Sequence, residues 1–237
     1  MSENDLRIAL VAEGVTDLIV IEAALNAILD RPFILTQLQP EPTRPDLGAG
    51  WGGVLKWSME TAKRVSGCLD DDPPLSGFDV LIIHLDVDVA GFRYANLGAP
   101  GAELIQHSNI AELPCKQPCP PVSDSVNALQ QVLLSWLSPV TTGNRTIVCL
   151  PAQSSGTWLA AALLPESHSP LAGAECNPAV EDGLALLPKK VRIKKNQRDY
   201  RAHADAITAQ WGKVKTICSQ ALVFEESVRS KIRDVTT

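Results

Sequence analysis

Two short acidic motifs in this chain have the residue types and the spacing of a site for a divalent cation. The first, Glu-Gly-Val-Thr-Asp, covers residues 13–17 and follows an apolar run over residues 6–12. The second, Asp-Val-Asp, covers residues 86–88 and follows an apolar run over residues 78–85. Carboxylate oxygens are ligands that Mg²⁺ and Mn²⁺ prefer, and these cations promote the hydrolysis of phosphate esters. The two motifs therefore predict a metal site that acts on phosphates.

Of the two motifs, Asp86 and Asp88 give the stronger indication of a metal site. Residues two apart in an extended segment point to the same side, so these carboxylates would repel each other unless a cation lay between them. Glu13 fits an exposed turn residue, a metal ligand or a general base, and the sequence does not separate these roles. Asp17 has a simpler interpretation, because an acid in the first turn of a helix is stabilised by the helix dipole alone.

Strand-like and helix-like segments alternate along the chain and must position these acids. The alternation favours an α/β fold with a mostly parallel sheet and helices on both faces. Each motif then lies at the carboxyl edge of the sheet, where open α/β folds bind ligands. Gly14 is expected to allow a tight turn into the first helix, with Thr16 as the N-cap. Strands are predicted at residues 6–12, 33–38, 78–85 and 146–150, helices at 16–29, 54–65, 123–137, 157–164, 179–187, 200–210 and 222–232, and an irregular insertion at 90–121.

The bulk properties are those of an ordinary globular protein. The chain has 237 residues, of which 45% are hydrophobic and 20% charged, and its formal net charge is −6. We predict one domain over residues 1–237, with a core at about 6–165 and a basic, helical C-terminal region at about 178–237. A protein of this charge contacts nucleic acid only through a local basic patch.

The sequence also predicts where the protein is found. No apolar run reaches the roughly 18 residues of a membrane span, and the polar, acidic start is unlike a secretory signal. We therefore expect a cytoplasmic protein with no membrane partner. The six cysteines are scattered, which fits reduced thiols in that compartment.

A basic segment stands out against the acidic average. Residues 189–201 hold one third of the Lys and Arg residues of the chain. They predict contacts to a nucleic-acid backbone near the metal site, with Lys194 stabilising the charged transition state. The alternative is a solvated loop and helix face. The basic residues of this segment are seven in number: Lys189, Lys190, Arg192, Lys194, Lys195, Arg198 and Arg201.

The two acidic motifs in their strand contexts, VAEGVTD and IIHLDVD, resemble the TOPRIM domain. This domain occurs in topoisomerases, bacterial primases, recombination proteins and the overcoming-lysogenization-defect nucleases. The form EG-x-TD is most similar to small stand-alone and nuclease-associated members. The resemblance covers residues 6–90 and, at its widest, extends to residue 165. It implies a Mg²⁺- or Mn²⁺-dependent nuclease in which Glu13, Asp86 and Asp88 are the metal-binding, catalytic acids and Asp17 is an auxiliary acid.

The same resemblance implies the partners of such a nuclease. Its substrate would be DNA or, less favoured, RNA. Many similar small TOPRIM proteins belong to bacterial anti-phage systems, so a role in defence against phage or mobile DNA is expected. A separately encoded ATPase would then act beside this chain, and a homo-oligomer is left open.

The sequence departs from the family pattern at two places. Some TOPRIM proteins continue the second motif with a third Asp, where this chain has Ala90. Related proteins often carry a Glu two residues before a Trp-Leu pair on a later helix, where this chain has Gly156 before Trp158. A one-metal site, or a site completed by Glu166, Glu175 or the nucleic acid, is consistent with these changes.

Two other functions stay open on these grounds. One is a non-catalytic regulatory or binding subunit that keeps the TOPRIM shape. The other is a nucleotidyl transferase of the primase kind, for which the sequence offers no nucleotide-binding motif.

Histidine and cysteine residues are further candidates for metal binding, with weaker sequence support than the acidic motifs. Cys115 and Cys119 have an admissible zinc spacing with His107 nearby, but no second pair follows them. His84 lies within the buried run before Asp86. We interpret it as a hydrogen-bonded core residue that orients Asp86 rather than as a ligand.

Overall fold

A four-stranded parallel sheet forms the centre of the fold in the computed structural model, which describes residues 5–41, 48–106, 109–189 and 191–235. The strands lie in the order β2-β1-β3-β4, and each neighbouring pair is parallel. This confirms the predicted α/β class. The strands are β1 (Leu6–Val11), β2 (Phe33–Gln39), β3 (Val80–His84) and β4 (Thr146–Cys149).

The strand order creates a crevice at the carboxyl edge of the sheet. The chain passes from β1 to β2 on one side and then to β3 on the other side of β1. At such a reversal the connections leave the sheet in opposite directions, which opens a space between the two strand ends. Glu13 follows β1 and Asp86 follows β3, so the fold brings both acidic motifs to this crevice.

Helices cover both faces of the sheet because successive strand residues point to opposite sides. Ile8, Leu10 and Ile82 belong to the core on the face of the first helix, and Ala9 and Ile83 to the core on the opposite face. No helix in the described ranges is long and apolar enough to cross a membrane. The helices are α1 (Val15–Ile28), α2 (Trp51–Arg64), α3 (Gly98–Ile105), α4 (Ser123–Leu137), α5 (Gly156–Leu163), α6 (Val180–Leu186), α7 (Gln197–Ala209), α8 (Trp211–Ile217) and α9 (Ser219–Val235).

The start of α1 differs from the expectation. Its N-cap is Gly14, not Thr16, and Gly14 has φ −160°, an extended conformation open to any residue. The conformational freedom of glycine, from which the tight turn was expected, is therefore not used at this position. The sequence pattern also missed α8, since only Trp211 and Val214 of this short helix are buried and they give too little periodicity.

The insertion at 90–121 is partly helical rather than wholly irregular. It contains a 3₁₀ turn, Tyr94–Leu97, followed by α3. The hydroxyl of Tyr94 donates to the carbonyl of Ala111 at 2.7 Å and accepts from Nε1 of Trp136 at 2.9 Å. The backbone N–H groups of Cys115 and Lys116 both donate to the carbonyl of Ala90. These bonds hold the insertion against α4 and beside the second acidic motif.

A disulfide corrects the prediction of six reduced thiols. Cys119 and Cys176 are bonded, with Cα atoms 5.6 Å apart, while Cys68, Cys115, Cys149 and Cys218 are free. The bond ties the insertion to the segment between α5 and α6. It also leaves Cys119 unavailable for the zinc site, and His107 lies outside the described residues.

We expect reduction of this disulfide to lower the free energy of unfolding by about 2–4 kcal/mol, because the bond restricts the unfolded chain across a long loop. Denaturant titration with and without reductant measures the change. The double variant Cys119→Ser, Cys176→Ser should match the reduced native protein. Cys68→Ser, which alters a free cysteine, should shift stability by less than about 1 kcal/mol. Six reactive thiols in the denatured, unreduced protein would contradict the assignment.

Candidate metal centre

Three side chains converge at the crevice between β1 and β3. Ligand atoms of Glu13, His84 and Asp86 all lie within 4.8 Å of one another. His84 is the last residue of β3, and Asp86 follows it by two positions, so both project to the same side of the chain. One imidazole nitrogen and two carboxylates form a donor set suited to a divalent cation. The structure therefore supports a metal site here without identifying the metal.

Hydrogen bonds from the backbone fix the two carboxylates. The N–H of Asp86 donates to Oε1 of Glu13 at 2.8 Å, which links the end of β3 to the end of β1. The N–H of Ser155 donates to Oδ1 of Asp86 at 2.9 Å. Ser155 is the N-cap of α5, so the positive end of that helix dipole faces the acids and stabilises their charge.

Asp17 lies at the edge of the same cluster. Its Oδ1 accepts a hydrogen bond from the Ser155 hydroxyl at 2.6 Å, and the residue is buried. Ser155 thus contacts Asp17 with its side chain and Asp86 with its backbone. Asp17 thus has a structural partner and a place in the charge cluster, but it is not among the three side chains whose ligand atoms converge.

Burial makes the charges of this cluster costly. Desolvation and the charge of Asp86 raise the pKa of Glu13 well above its usual value. Desolvation likewise raises the pKa of Asp17. Burial lowers the pKa of His84, but the charges of Asp17 and Asp86 outweigh it and raise that pKa to about 9. Without a metal the imidazolium supplies the compensating positive charge, and a bound cation would take over that role.

His84 is a candidate ligand that the sequence analysis set aside. Its side chain is fully buried, and Nε2 lies 3.1 Å from Oδ1 of Asp86. This contact is electrostatic, because neither ring nitrogen has an aligned hydrogen-bond partner among the described residues. A buried imidazole that contacts a carboxylate but makes no aligned hydrogen bond fits a metal ligand, which needs a ring nitrogen free to bind the cation. The signal that could have identified it is its two-residue spacing from Asp86 at the end of a strand.

Asp88 lies at the rim rather than beside Asp86. It belongs to the 3₁₀ turn Val87–Gly91, so the expectation that two extended residues share one side is wrong here. Its N–H donates to the carbonyl of Gln153 at 3.0 Å, and its side chain is exposed. Partial desolvation and repulsion from Asp86 raise the pKa of Asp88 to about 6.

An acid occupies the space beside Gly156 although the sequence has none on α5. A Cβ at Gly156 would lie 2.5 Å from Cδ of Glu181, which comes from α6. The carboxylate of Glu181 accepts hydrogen bonds from Ser154 at 2.8 Å, from Lys195 at 2.9 Å and from Tyr200. Glycine is thus required at 156 by close approach.

Glu166 and Glu175, the two acids that could have completed the metal site, lie elsewhere in the structure. Glu175 accepts bonds from the Ser219 hydroxyl and from the N–H of Gln220, so it holds the start of α9. Glu166 is exposed after α5. The structure does not place either of them among the ligand atoms at the crevice.

Within the basic segment, Lys195 rather than Lys194 reaches the acids. Burial lowers the pKa of Lys195, but the charges of Glu181 and Asp86 outweigh this effect and raise it above its usual range. Lys194 is exposed, and its backbone N–H donates to Asp199. Arg201 lies 3.5 Å from Glu22 on α1. Lys189, Arg192 and Arg198 are exposed, and Lys190 lies outside the described residues.

Comparison with known families, with curated proteins and with solved structures finds no match for this chain. The TOPRIM resemblance therefore stays a prediction from the two acidic motifs. The function of the protein has to be inferred from the geometry and charge of the crevice.

The Gly156–Glu181 contact predicts an asymmetry between two glycines. Gly156→Ala should destabilise the protein by about 1–3 kcal/mol, because three hydrogen bonds prevent Glu181 from moving aside. Gly212→Ala in α8 meets no atom within 4 Å and should be neutral or stabilising by up to about 1 kcal/mol. Denaturant unfolding of both variants measures the difference. Equal effects would contradict the packing described here.

The charge cluster predicts a pH dependence of stability in metal-free protein. The folded pKa of His84, about 9, exceeds the unfolded value of 6.5, so its contribution is complete below pH 6.5 and is lost as pH rises through 9. The raised pKa values of Glu13 and Asp17 act in the same direction. We expect the free energy of unfolding to fall by about 1–3 kcal/mol between pH 6.5 and 9.

Denaturant unfolding in chelator measures this dependence. The fall should be smaller in His84→Gln. It should persist in His203→Gln, which changes a partly exposed histidine of α7. Stability that stays constant or rises over this pH range in the native protein would rule out a protonated His84.

Proposed function

We propose that this protein is a metal-dependent phosphodiesterase that cleaves nucleic acid. The observation that supports it most is the convergence of Glu13, His84 and Asp86 at the switch-point crevice, with the ammonium group of Lys195 close by. A cation site next to a fixed positive charge suits a phosphodiester, whose negative charge grows during hydrolysis.

Each residue has a role that follows from its position. Glu13, His84 and Asp86 would hold the cation, which when bound polarises a phosphate oxygen and lowers the pKa of a water. Asp88 is solvent-accessible, and its pKa of about 6 suits a base that is mostly ionised at neutral pH. It would take the proton of the attacking water as the new P–O bond forms and the bond to the leaving oxygen breaks.

Lys195 would stabilise the charge on the phosphate. Its Nζ is 2.9 Å from Oε2 of Glu181, which aims it toward the acidic crevice. We assign to Lys195 the role predicted for Lys194, because the Lys195 ammonium contacts Glu181 and interacts with the charge of Asp86. Glu181 acts as a positioning residue, since it contacts Lys195 rather than the reacting atoms.

The exposed basic residues near Lys195 would contact the polynucleotide backbone. Lys189, Arg192, Lys194 and Arg198 are exposed on the α6–α7 connection and the first turn of α7. They concentrate positive charge in a chain with net charge −6, which favours binding of a polyanion at this place. DNA is the proposed substrate, with RNA second.

The metal is proposed to be Mn²⁺ or Mg²⁺. Carboxylates suit both cations, but an imidazole ligand suits Mn²⁺ better than Mg²⁺. By the TOPRIM resemblance, the protein would act in defence against phage or mobile DNA, beside a separately encoded ATPase.

One observation favours a second function, that of a non-catalytic binding subunit. The acids already have protein cations nearby, in the form of His84 and Lys195. Such a cluster is partly charge-balanced without a metal, and it would also suit a purely structural polar core. Metal binding separates the two functions.

The nuclease proposal predicts metal-dependent stabilisation and cleavage. Saturating Mn²⁺ should raise the melting temperature by about 5 °C, and it should nick supercoiled plasmid. Glu13→Gln and Asp86→Asn should lose both effects, with cleavage reduced at least about 100-fold.

A lysine pair gives a matched control. Lys195→Ala should lower the cleavage rate by about 100-fold while metal-induced stabilisation persists, because the lysine acts on the phosphate. Lys194→Ala should change the rate by less than about threefold. Native protein that neither binds the metal nor cleaves would favour the binding subunit, and equal effects of both lysine variants would remove the role of Lys195.

A further inference from the structure

An exposed aromatic ring follows the second acidic motif, four residues after Asp88. Phe92 is 39% exposed and lies nearly parallel to Trp51, with an interplanar angle of 7° and ring centroids 6.4 Å apart. Trp51 in turn stacks on Trp136 at 6.4 Å. Phe92 is thus the outermost ring of a stack that is anchored in the core.

Backbone connections place this ring close to the acids. Phe92 is the C-cap of the 3₁₀ turn that contains Asp88, and four residues of 3₁₀ helix span about 8 Å. Trp51 opens α2 directly after Gly50, whose N–H donates to the carbonyl of Glu13 at 2.7 Å. Both stacked rings are therefore attached to segments that carry the site acids.

The surroundings of Phe92 are rigid and basic. Tyr94 packs against Trp51 with centroids 6.1 Å apart, and its hydroxyl is held by the insertion. Arg93 follows Phe92 and is exposed, and the exposed Lys116 passes near Gly91, where a Cβ would be 3.7 Å from its Cδ. An exposed ring with one cationic residue next to it in the chain and a second near Gly91 has the elements that bind single-stranded nucleic acid, by stacking a base and neutralising phosphates.

We propose that Phe92 stacks an unpaired nucleobase of the polynucleotide whose phosphate lies at the metal centre, and that Arg93 and Lys116 contact flanking phosphates. The substrate class is then single-stranded DNA or RNA, or an unpaired segment of a duplex, because paired bases do not expose a free face. This role for Phe92 rests on the proposed nuclease function.

The size of the apolar surface favours a base over a protein partner. The other large hydrophobic side chains exposed within the described ranges belong to the α6–α9 region, not to the insertion. A single ring matches the area of one nucleobase, whereas a stable protein interface needs roughly 1,000 Å² or more. The exposed hydrophobic side chains of the α6–α9 region are Leu186, Val191, Leu222 and Val223.

The first experiment measures the affinity of a fluorescent single-stranded oligonucleotide in chelator, where no cleavage occurs. Phe92→Ala and Phe92→Leu should weaken binding by about tenfold, and Phe92→Trp should retain it. Leu222→Ala, which removes a similarly exposed side chain on α9, should leave affinity unchanged. Affinity for a blunt duplex should not respond to any of these changes.

The second experiment locates the stacked base. A 2-aminopurine moved along the oligonucleotide should be quenched at one position by native protein and by Phe92→Trp, but not by Phe92→Leu. Unchanged affinity in both Phe92→Ala and Phe92→Leu, at native melting temperature, would overturn the stacking role. Metal-dependent cleavage that survives in those variants would leave the nuclease proposal standing, whereas Phe92-dependent binding without any cleavage would overturn only the nuclease proposal.

Discussion

The hydrogen bond from the backbone of Asp86 to the side chain of Glu13 is the constraint on which the rest of the site depends. It joins residues 73 positions apart, across the point where the strand order reverses. The bond uses one oxygen of Glu13, so the rotamer of that side chain is determined by the sheet. The peptide of Asp86 is held equally firmly. The two acids at the strand ends are therefore held in place by the sheet itself.

A fixed crevice of acids carries a cost in free energy. Asp17 and Asp86 are buried away from water, Glu13 is partly so, and each carboxylate raises the energy of its neighbours. The protein offsets this cost with the N-terminus of α5, with a buried imidazolium and with a lysine on the rim. These compensations are separate in sequence and meet only in the folded chain. A metal, a proton and Lys195 then compete to balance the same negative charge, which makes the site sensitive to its ionic surroundings.

The sequence predicted the parts of the site that depend on local pattern. The apolar run before Asp86 specifies a buried strand, and an acid after such a strand must lie at the carboxyl edge. The 3₁₀ turn at Asp88 was missed because it depends on the contact between its N–H and the Gln153 carbonyl. Glu181 was missed for a related reason, and Lys195 was predicted as one of seven basic residues without its contact to the acids. Their roles follow from the packing of α6 against α5, and neighbouring lysines in one basic segment look alike until the chain is folded.

The carboxylate of Glu181 lies where a side chain at residue 156 would project. The carboxylate at this point thus comes from a different segment of the chain, 25 positions further along. Linear spacing rules describe which residue carries a group, whereas chemistry depends only on where the group is. Two chains can therefore hold a carboxylate at the same place in space although no pair of aligned residues shares it.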